Sequence, residues 1–127
     1  MTSNPKELVR QFLTEVRSGK NPGAAGTFMA PTVRANQVVS ETTQLIERTP
    51  QEYAEHVREM LAEYGNFQFE IDELISENEK VYARWTQIGN GVRQVTSCVY
   101  RVEQNKIVEY WIQIDRLGLQ LQQHSWS

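Results

Sequence analysis

The sequence predicts an α+β domain in which helices from the first half of the chain pack on one face of an antiparallel sheet from the second half. Two observations support this fold class. Before Gly65, two segments carry apolar residues at helical spacing behind capping motifs, whereas after Gly65 apolar and polar residues alternate as in half-buried strands. The length of 127 residues fits a single domain that spans residues 1–127.

The first helix is predicted to begin at Asn4. Asn4-Pro5-Lys6-Glu7 combines an N-cap, a proline in the first turn and a glutamate three residues after the cap. The inward stripe of this helix comprises Leu8, Val9, Phe12, Leu13 and Val16. A break at residues 18–21 ends it, and a short second helix is expected over residues 24–29, before Pro31.

A third helix is predicted after a segment with a weaker pattern. Residues 32–48 carry apolar positions that suit one or two short strands. Thr49-Pro50-Gln51-Glu52 is then a second capping box, and Gly65 is a natural stop for the helix that it starts. The apolar side of this helix carries Tyr53, Val57, Met60, Leu61 and Tyr64.

Four strands are predicted after Gly65. The first contains the alternating residues Phe67, Phe69 and Ile71. The others are expected over residues 81–88, 92–103 and 107–115, and residues 116–123 predict a short terminal helix. Asn90-Gly91 is a pair favoured in two-residue hairpin turns, which makes the second and third of these strands antiparallel neighbours.

Composition argues against several classes of partner. The net charge is −3 and there is no run of basic residues, whereas a protein that binds nucleic acid requires a cationic face. No apolar run approaches the roughly 18 residues of a membrane span.

Cys98 is the only cysteine, which leaves no internal disulfide and no cysteine-based zinc site. A lone cysteine without an export signal indicates a cytoplasmic protein. Neither His56 nor His124 has the neighbours of a metal ligand, so we expect no metal and no cofactor.

Four segments resemble a known family. They are residues 9–12, Lys80-Val81-Tyr82-Ala83-Arg84-Trp85-Thr86, Lys106-Ile107-Val108-Glu109-Tyr110-Trp111, and the ending Asp115-Arg116-Leu117-Gly118-Leu119. Together with the order of helices and strands, they are similar to the SnoaL-like, or polyketide cyclase-like, members of the nuclear transport factor 2-like (ketosteroid isomerase-like) superfamily. The resemblance covers nearly the whole chain.

The resemblance implies a cone-shaped, curved antiparallel sheet of six strands wrapped by three N-terminal helices, the nuclear transport factor 2-like (cystatin-like) α+β barrel. It also implies a pocket inside the cone for a small apolar molecule, and a homodimer formed through the outer face of the sheet. Relatives include cyclases that close a ring by aldol chemistry, isomerases, dehydratases, and domains that only bind or dimerise. The fold alone does not choose among these functions.

The acid–base positions of the cyclases carry other residues here. In the family pattern, a carboxylate ends a His-x-Asp triplet on the last strand and acts as acid and base inside a largely apolar cavity. This triplet reads Tyr110-Trp111-Ile112, so the histidine position holds Tyr110 and the aspartate position holds Ile112. A second histidine position falls on Cys98, and a further polar position falls on Asn36. Isoleucine cannot carry a proton, so we do not expect the family's cyclisation.

Tyr110 and Asp115 remain as candidates for a catalytic role. Alternate residues of a strand share a face, so Tyr110, Ile112 and Ile114 face the pocket. Asp115 then faces away or lies at the strand end, where it would cap the terminal helix. Tyr110 would either donate a hydrogen bond to a ligand oxygen or form an aromatic wall.

The predicted pocket lining is Asn36, Trp85, Cys98, Tyr110, Ile112 and Ile114. One assignment in this set stays open. Arg84 and Trp85 are adjacent on a central strand, so only one of them can face the pocket. An inward arginine would imply an anionic ligand or an ion pair with an acid of the neighbouring strand.

Three functions therefore remain open. The first is a small-molecule-binding protein with an apolar pocket and no cyclase activity. The second is an enzyme of altered mechanism, of the isomerase, dehydratase or cyclase type, with Tyr110, Asn36 or Asp115 as polar groups. The third is a non-catalytic dimerisation domain whose own side chains fill the cone. A ligand-sized cavity favours the first, a buried group with a shifted pKa the second, and a filled cone with an exposed apolar patch the third.

Overall fold

The computed structural model describes residues 4–39 and 42–124, which form four helices and six strands. The helices are α1 (Pro5–Phe12), α2 (Ala25–Phe28), α3 (Pro50–Tyr64) and α4 (Arg116–His124). The strands are β1 (Met29–Val39), β2 (Thr42–Arg48), β3 (Gln68–Glu77), β4 (Lys80–Gly89), β5 (Val92–Glu103) and β6 (Lys106–Ile114). In this part of the chain, no helix is both long and apolar enough to cross a membrane.

The six strands form one curved, unclosed sheet in the order β2-β1-β6-β5-β4-β3. The predicted α+β fold class is confirmed. Neighbouring strands are antiparallel except for β1 and β6, which run parallel. The strand pattern did not predict this parallel pair. It arises because β1 enters the sheet from the helices, far along the chain from β6, and no hairpin forces the two strands to reverse direction.

The two helices that cover the sheet begin at the capping residues that the sequence predicts. Asn4 Oδ1 accepts hydrogen bonds from two backbone N–H groups at the start of α1. Thr49 and Glu52 form a capping box: the Glu52 N–H donates to Thr49 Oγ1 at 3.2 Å, and the Thr49 N–H donates to Glu52 Oε1 at 2.8 Å. Gly65 ends α3 with a φ of 72°, a conformation that favours glycine.

Helix α1 does not end regularly but continues into a π turn over Leu13–Arg17. The Ser18 N–H donates to the Leu13 carbonyl, five residues back, at 2.9 Å. The π turn is wider than an α-helical turn and changes the direction in which the last side chains project. Val16 and Arg17, which are adjacent in this turn, are both buried.

Aromatic rings fill much of the space between the sheet and the helices. The Phe12 ring lies 6.2 Å from Phe28, 5.3 Å from Tyr53 and 5.8 Å from Tyr100, measured between ring centroids. Tyr110 lies 6.0 Å from Tyr53 and 5.9 Å from Tyr100. Most of these contacts are edge-on or tilted, as aromatic pairs prefer. The cluster leaves only limited room inside the cone.

The hairpin between β4 and β5 turns at Asn90 and Gly91, as the sequence predicts. Both residues have positive φ angles, 51° and 75°, as a type I′ turn requires. Gly89 and Val92 are the last pair of the ladder before the turn. This short connection sets the register of β4 and β5, and therefore which side chains reach the interior.

Replacing Thr49 with alanine is expected to lower the free energy of unfolding by about 1 kcal/mol, because the Glu52 N–H at the start of α3 loses its acceptor. Urea unfolding followed by circular dichroism measures this change. Thr27→Ala, at an exposed position of α2, is the matched control and should change the free energy by less than about 0.5 kcal/mol. Equal losses in the two variants would contradict the role of the capping box.

Candidate functional site

A small cavity of 170 Å³ lies inside the cone. It is lined by Arg17, Gln37, Arg48, Tyr53, His56, Tyr110, Ile112, Ile114 and Arg116. The size is close to that of an engineered protein cavity of about 150 Å³ that admits benzene. The cavity can therefore hold a ligand built on one small ring.

Strand β6 supplies one wall of the cavity through Tyr110, Ile112 and Ile114. These three residues of the expected lining come together because alternate residues of a strand share a face. Gln37 reaches the cavity from β1, which runs parallel beside β6 and pairs at this position with Ile112. The parallel pair of strands thus forms the floor of the site.

Trp85 and Cys98 lie in the buried core and are not part of the cavity wall. The Trp85 ring lies under the guanidinium of Arg17, with Arg17 Cζ at 5.3 Å from the ring centroid. Trp85 is therefore the inward residue of its pair, and Arg84 is half-buried on the opposite face of β4. Burial raises the pKa of the Cys98 thiol to about 12, which makes this residue a packing group and not a nucleophile.

Asn36 is placed differently from the expectation and does not line the cavity. Its neighbour Gln37 points inward, so the side chain of Asn36 lies on the outer face of β1. There Asn36 Nδ2 donates to Glu109 Oε2 at 3.0 Å and to the Tyr110 carbonyl oxygen at 3.1 Å. Asn36 therefore links two strands and cannot orient a ligand inside the cone.

Glu109 is the centre of a polar cluster on this outer face. Its Oε1 accepts a hydrogen bond from Arg101 Nη2 at 3.0 Å, and its Oε2 accepts one from Arg34 Nε at 3.4 Å in addition to the bond from Asn36. Burial would raise the pKa of Glu109, but the hydrogen bonds from Asn36 and the arginines outweigh it and lower the pKa. Both oxygens of this carboxylate thus accept hydrogen bonds on the outer face of the sheet, and neither faces the cavity.

The two candidate catalytic residues have separate positions. Asp115 is exposed and is not among the residues that line the cavity. Its Oδ1 accepts the Gly118 N–H at 2.9 Å, so it caps α4, as one of its two sequence interpretations predicts. Tyr110 does reach the cavity, but burial raises the pKa of its phenol. Its hydroxyl thus stays protonated and can donate a hydrogen bond, but it cannot serve as a base at neutral pH.

The charged side chains at the cavity are all cationic. Arg17 is only 1% exposed, and its Nη1 donates to the Tyr53 hydroxyl across 3.5 Å. The Nε atoms of Arg17 and Arg48 are buried without an acceptor among the described residues. Arg116, at the start of α4, is a third arginine at the cavity, and none of the lining residues is an acid.

His56 lies at the cavity on α3 and remains neutral at physiological pH. Burial, together with the smaller effect of the positive charges of Arg17 and Arg48, lowers its pKa to about 4. Its side chain is partly buried and lines the cavity. Elsewhere in the described residues, no three His, Cys, Asp or Glu side chains converge as metal ligands would.

Sequence reasoning missed Arg17, Arg48 and His56 as residues of the site. Arg17 follows Leu13 by four positions and so continues the inward stripe of the first helix, and a charged residue on an apolar stripe is a readable signal. His56 follows Tyr53 by three positions and shares its side of the helix. Arg48 has no comparable local signal, because residues 32–48 lack a clear periodicity.

Four other hollows in the described part of the chain are larger than this cavity, and two of them, on the outside of the molecule, have volumes of 540 and 490 Å³. The first borders Pro31, Pro50 and Arg58, and the second borders Leu8 and Lys106 among others. Both are open grooves that would bury only one side of a ligand, whereas ligand sites enclose most of the ligand surface. The smaller cavity inside the cone is therefore the better candidate.

The chain matches the family model described as SnoaL-like polyketide cyclase over residues 7–123. No curated protein matches it. Among solved structures, a candidate polyketide cyclase from Acidithiobacillus ferrooxidans is similar over 100% of both chains, with a TM-score of 0.78 and 22% identity.

Two other solved structures show the same fold. A candidate ketosteroid isomerase from Kribbella flavida matches 88% of this chain and 78% of its own, with a TM-score of 0.71 and 15% identity. A de novo designed protein with a curved β-sheet matches 99% of this chain and 98% of its own, with a TM-score of 0.68 and 16% identity. At these identities the likenesses establish the fold and not the chemistry.

His56 is expected to titrate with a pKa of about 4 in an NMR titration of the imidazole, far below the value of about 6.5 for a solvated histidine. The unfolded chain takes up this proton near pH 6.5, but the folded chain takes it up only near pH 4. Stability should therefore fall as the pH drops through this range. His56→Gln assigns the resonance and removes this part of the pH dependence. A pKa of 6 or above would show that the imidazole is solvated.

Proposed function

Because the chain belongs to the SnoaL-like polyketide cyclase family, we propose that it is a small-molecule-binding protein without the family's cyclase acid–base pair. The observation that carries this proposal is the cavity inside the cone. It lies against the strand on which the resemblance places the catalytic pair, and those two positions hold Ile112 and Tyr110. The ligand is a small and largely apolar molecule.

The absence of an acid at the cavity supports the loss of cyclase chemistry. Aldol-type ring closure requires a group that takes up and returns a proton beside the substrate. Ile112 has no such group, and Tyr110 holds its proton because burial raises its pKa. Asp115 is engaged as the cap of α4, outside the lining.

The wall of the cavity supports binding of a compact, partly apolar molecule. Tyr53, Tyr110, Ile112 and Ile114 present ring faces and aliphatic surface to it. Burial of apolar ligand surface contributes roughly 25 cal/mol per Å², so even a single ring can bind weakly. Enclosure by six segments of the chain gives the contact on several sides that distinguishes a binding site from a surface groove.

His56 favours an enzyme of altered mechanism as the second candidate function. The neutral imidazole at the cavity is a weak base, because its pKa is only about 4, but the guanidinium of Arg17 can compensate by stabilising the oxyanion that forms when a carbon acid passes its proton to the imidazole. This combination differs from the carboxylate of the family pattern. Turnover of a bound compound, lost in His56→Gln while binding is kept, distinguishes the enzyme from the binding protein.

We also propose that the protein is a homodimer formed through the outer face of the sheet. Val95, Val99 and Trp111 lie half-buried on the outer face of β5 and β6, and Val99 pairs directly with Trp111. Polar groups, including the Glu109 cluster, flank this apolar strip. An apolar centre with a polar rim is the usual anatomy of an interface between two copies of a chain.

We also propose a cytoplasmic location. The buried free thiol of Cys98 supports it, because unpaired cysteines are typical of reducing compartments.

The binding function is tested with benzyl alcohol, a neutral probe of the size of the cavity. We expect a Kd on the order of 1 mM, with NMR shift changes centred on the residues that line the cone. Ile112→Phe should abolish these changes, because the larger side chain occupies the cavity.

Ile75→Phe is the matched control, because Ile75 is 56% exposed and does not line the cavity. It should bind benzyl alcohol as the wild-type chain does. Shift changes that persist in Ile112→Phe would place the binding site outside the cone. No shift changes in the wild-type chain would favour the dimerisation domain with a filled interior.

Sedimentation at micromolar concentration tests the dimer. The wild-type chain should sediment at twice the monomer mass of 14.7 kDa, and Val99→Glu should sediment as a monomer because it buries a charge at the interface. Thr43→Glu, at an exposed position of the edge strand β2, is the control and should remain dimeric. A wild-type mass near 14.7 kDa would refute the proposal.

A further inference from the structure

Arg17 carries a positive charge into the interior without a negative partner among the described residues. Its side chain is 1% exposed, and its described contacts are the Tyr53 hydroxyl at 3.5 Å and the Trp85 ring at 5.3 Å. A guanidinium has five N–H donors and does not lose its charge in proteins. The long hydrogen bond to Tyr53 and the contact with the Trp85 ring engage only some of these donors. The Nε atom has no acceptor among the described residues. Desolvation of this charge is thus incompletely compensated.

Arg48 repeats the same pattern on the neighbouring side of the cavity. It pairs with the buried residue Val33 across the β1–β2 ladder, which turns both side chains to the inner face. Its Nε is also buried without an acceptor in the described part of the chain. Arg116 adds a third positive charge at the rim. Like charges around one small cavity repel each other, and the repulsion is strongest where water is excluded.

The surface arginines show the opposite arrangement. Several of them form ion pairs with acids in the described structure, namely Arg10, Arg34, Arg58 and Arg101. Solvent already stabilises both partners of the pairs that Arg10 and Arg58 form, so these ion pairs contribute little. The arginines inside the cone need a partner far more, yet the described residues provide no acid in the cavity lining. The missing negative charge is therefore expected from a bound molecule.

We propose that the cavity is a carboxylate site and that its ligand is a small monocarboxylic acid with an apolar body. Arg17 and Arg48 receive the carboxylate, and this inference rests on the proposed function, in which the cavity binds a ligand. The two oxygens of a carboxylate match the planar fork of a guanidinium, and such charge-assisted hydrogen bonds are the strongest that side chains make. One anion also neutralises the repulsion between the arginines.

The walls of the cavity indicate what the rest of the ligand looks like. Tyr53, Tyr110, Ile112 and Ile114 offer apolar surface opposite the arginines. A bare anion such as phosphate would leave this surface without a contact, whereas a carboxylate attached to a ring or short chain would cover it. The volume of 170 Å³ limits the body to about one ring.

Benzoate is the probe that tests the inference, and benzyl alcohol is its neutral counterpart with the same ring. Calorimetry and NMR titrations at fixed ionic strength should show benzoate binding at least about tenfold more tightly than benzyl alcohol. Benzoate should raise the Tm of the wild-type chain, because it binds only the folded state. Inorganic phosphate at the same concentration should produce no shift changes at Tyr110 or Ile112.

Arg17→Met and Arg48→Met test the two arginines separately. Each variant should lose the preference for benzoate, so that benzoate binds no more tightly than benzyl alcohol. Arg84→Met is the matched control, because Arg84 lies on the opposite face of its strand, and it should bind both probes as the wild-type chain does. The Tm of Arg17→Met should be no lower than that of the wild-type chain, since the substitution removes an uncompensated buried charge.

The outcomes separate this inference from the function on which it rests. Benzyl alcohol binding that depends on Ile112, with benzoate no tighter, would overturn the carboxylate site and leave the binding function standing. No binding of either probe would overturn both. Benzoate affinity unchanged in both Arg17→Met and Arg48→Met, with a lowered Tm in the first, would show that the arginines are structural. Binding of phosphate but not benzoate would overturn the ligand class.

Discussion

The concave face of a curved sheet can be buried only if helices reach across it, and here the first helix does so by ending in a π turn. Arg17 lies in that turn and is buried in the interior, with its guanidinium over the Trp85 ring. A buried guanidinium constrains the residues packed around it. Each neighbour must present an aromatic face to it, accept a hydrogen bond from it or remain uncharged. Tyr53 provides the hydroxyl, and His56 remains neutral.

This buried charge reverses the electrostatics that the family pattern implies. In the family pattern, a cyclase uses an acid whose pKa is raised by an apolar cavity. In this chain, the resemblance assigns Ile112 to the position of the acid, and the charged side chains described at the cavity are those of Arg17, Arg48 and Arg116. Under our proposal, the site stabilises the negative charge of a ligand and does not supply a carboxylate of its own. The same fold would then serve a chemistry other than that of the family pattern.

The sheet separates two charge environments. On its outer face, Glu109 is paired with arginines and with Asn36, so positive and negative groups balance within the chain. On its inner face, the arginines of the cavity are not balanced by any acid of the lining. Because alternate residues of a strand face opposite sides, Glu109 and Tyr110 belong to different environments although they are adjacent. An acid on the outer face of the sheet therefore cannot neutralise the arginines on the inner face.

The sequence by itself determined the features that depend on neighbours in the chain. The caps at Asn4 and Thr49, the Asn90-Gly91 turn and the alternation that places Ile112 inward all involve residues a few positions apart, so local patterns predict them. The tertiary structure alone decided the parallel pairing of β1 with β6 and the meeting of Arg17, Arg48 and His56 at one cavity. These contacts join segments that are distant in the chain, and their geometry depends on how the sheet curves and where the π turn falls. No local periodicity encodes that geometry.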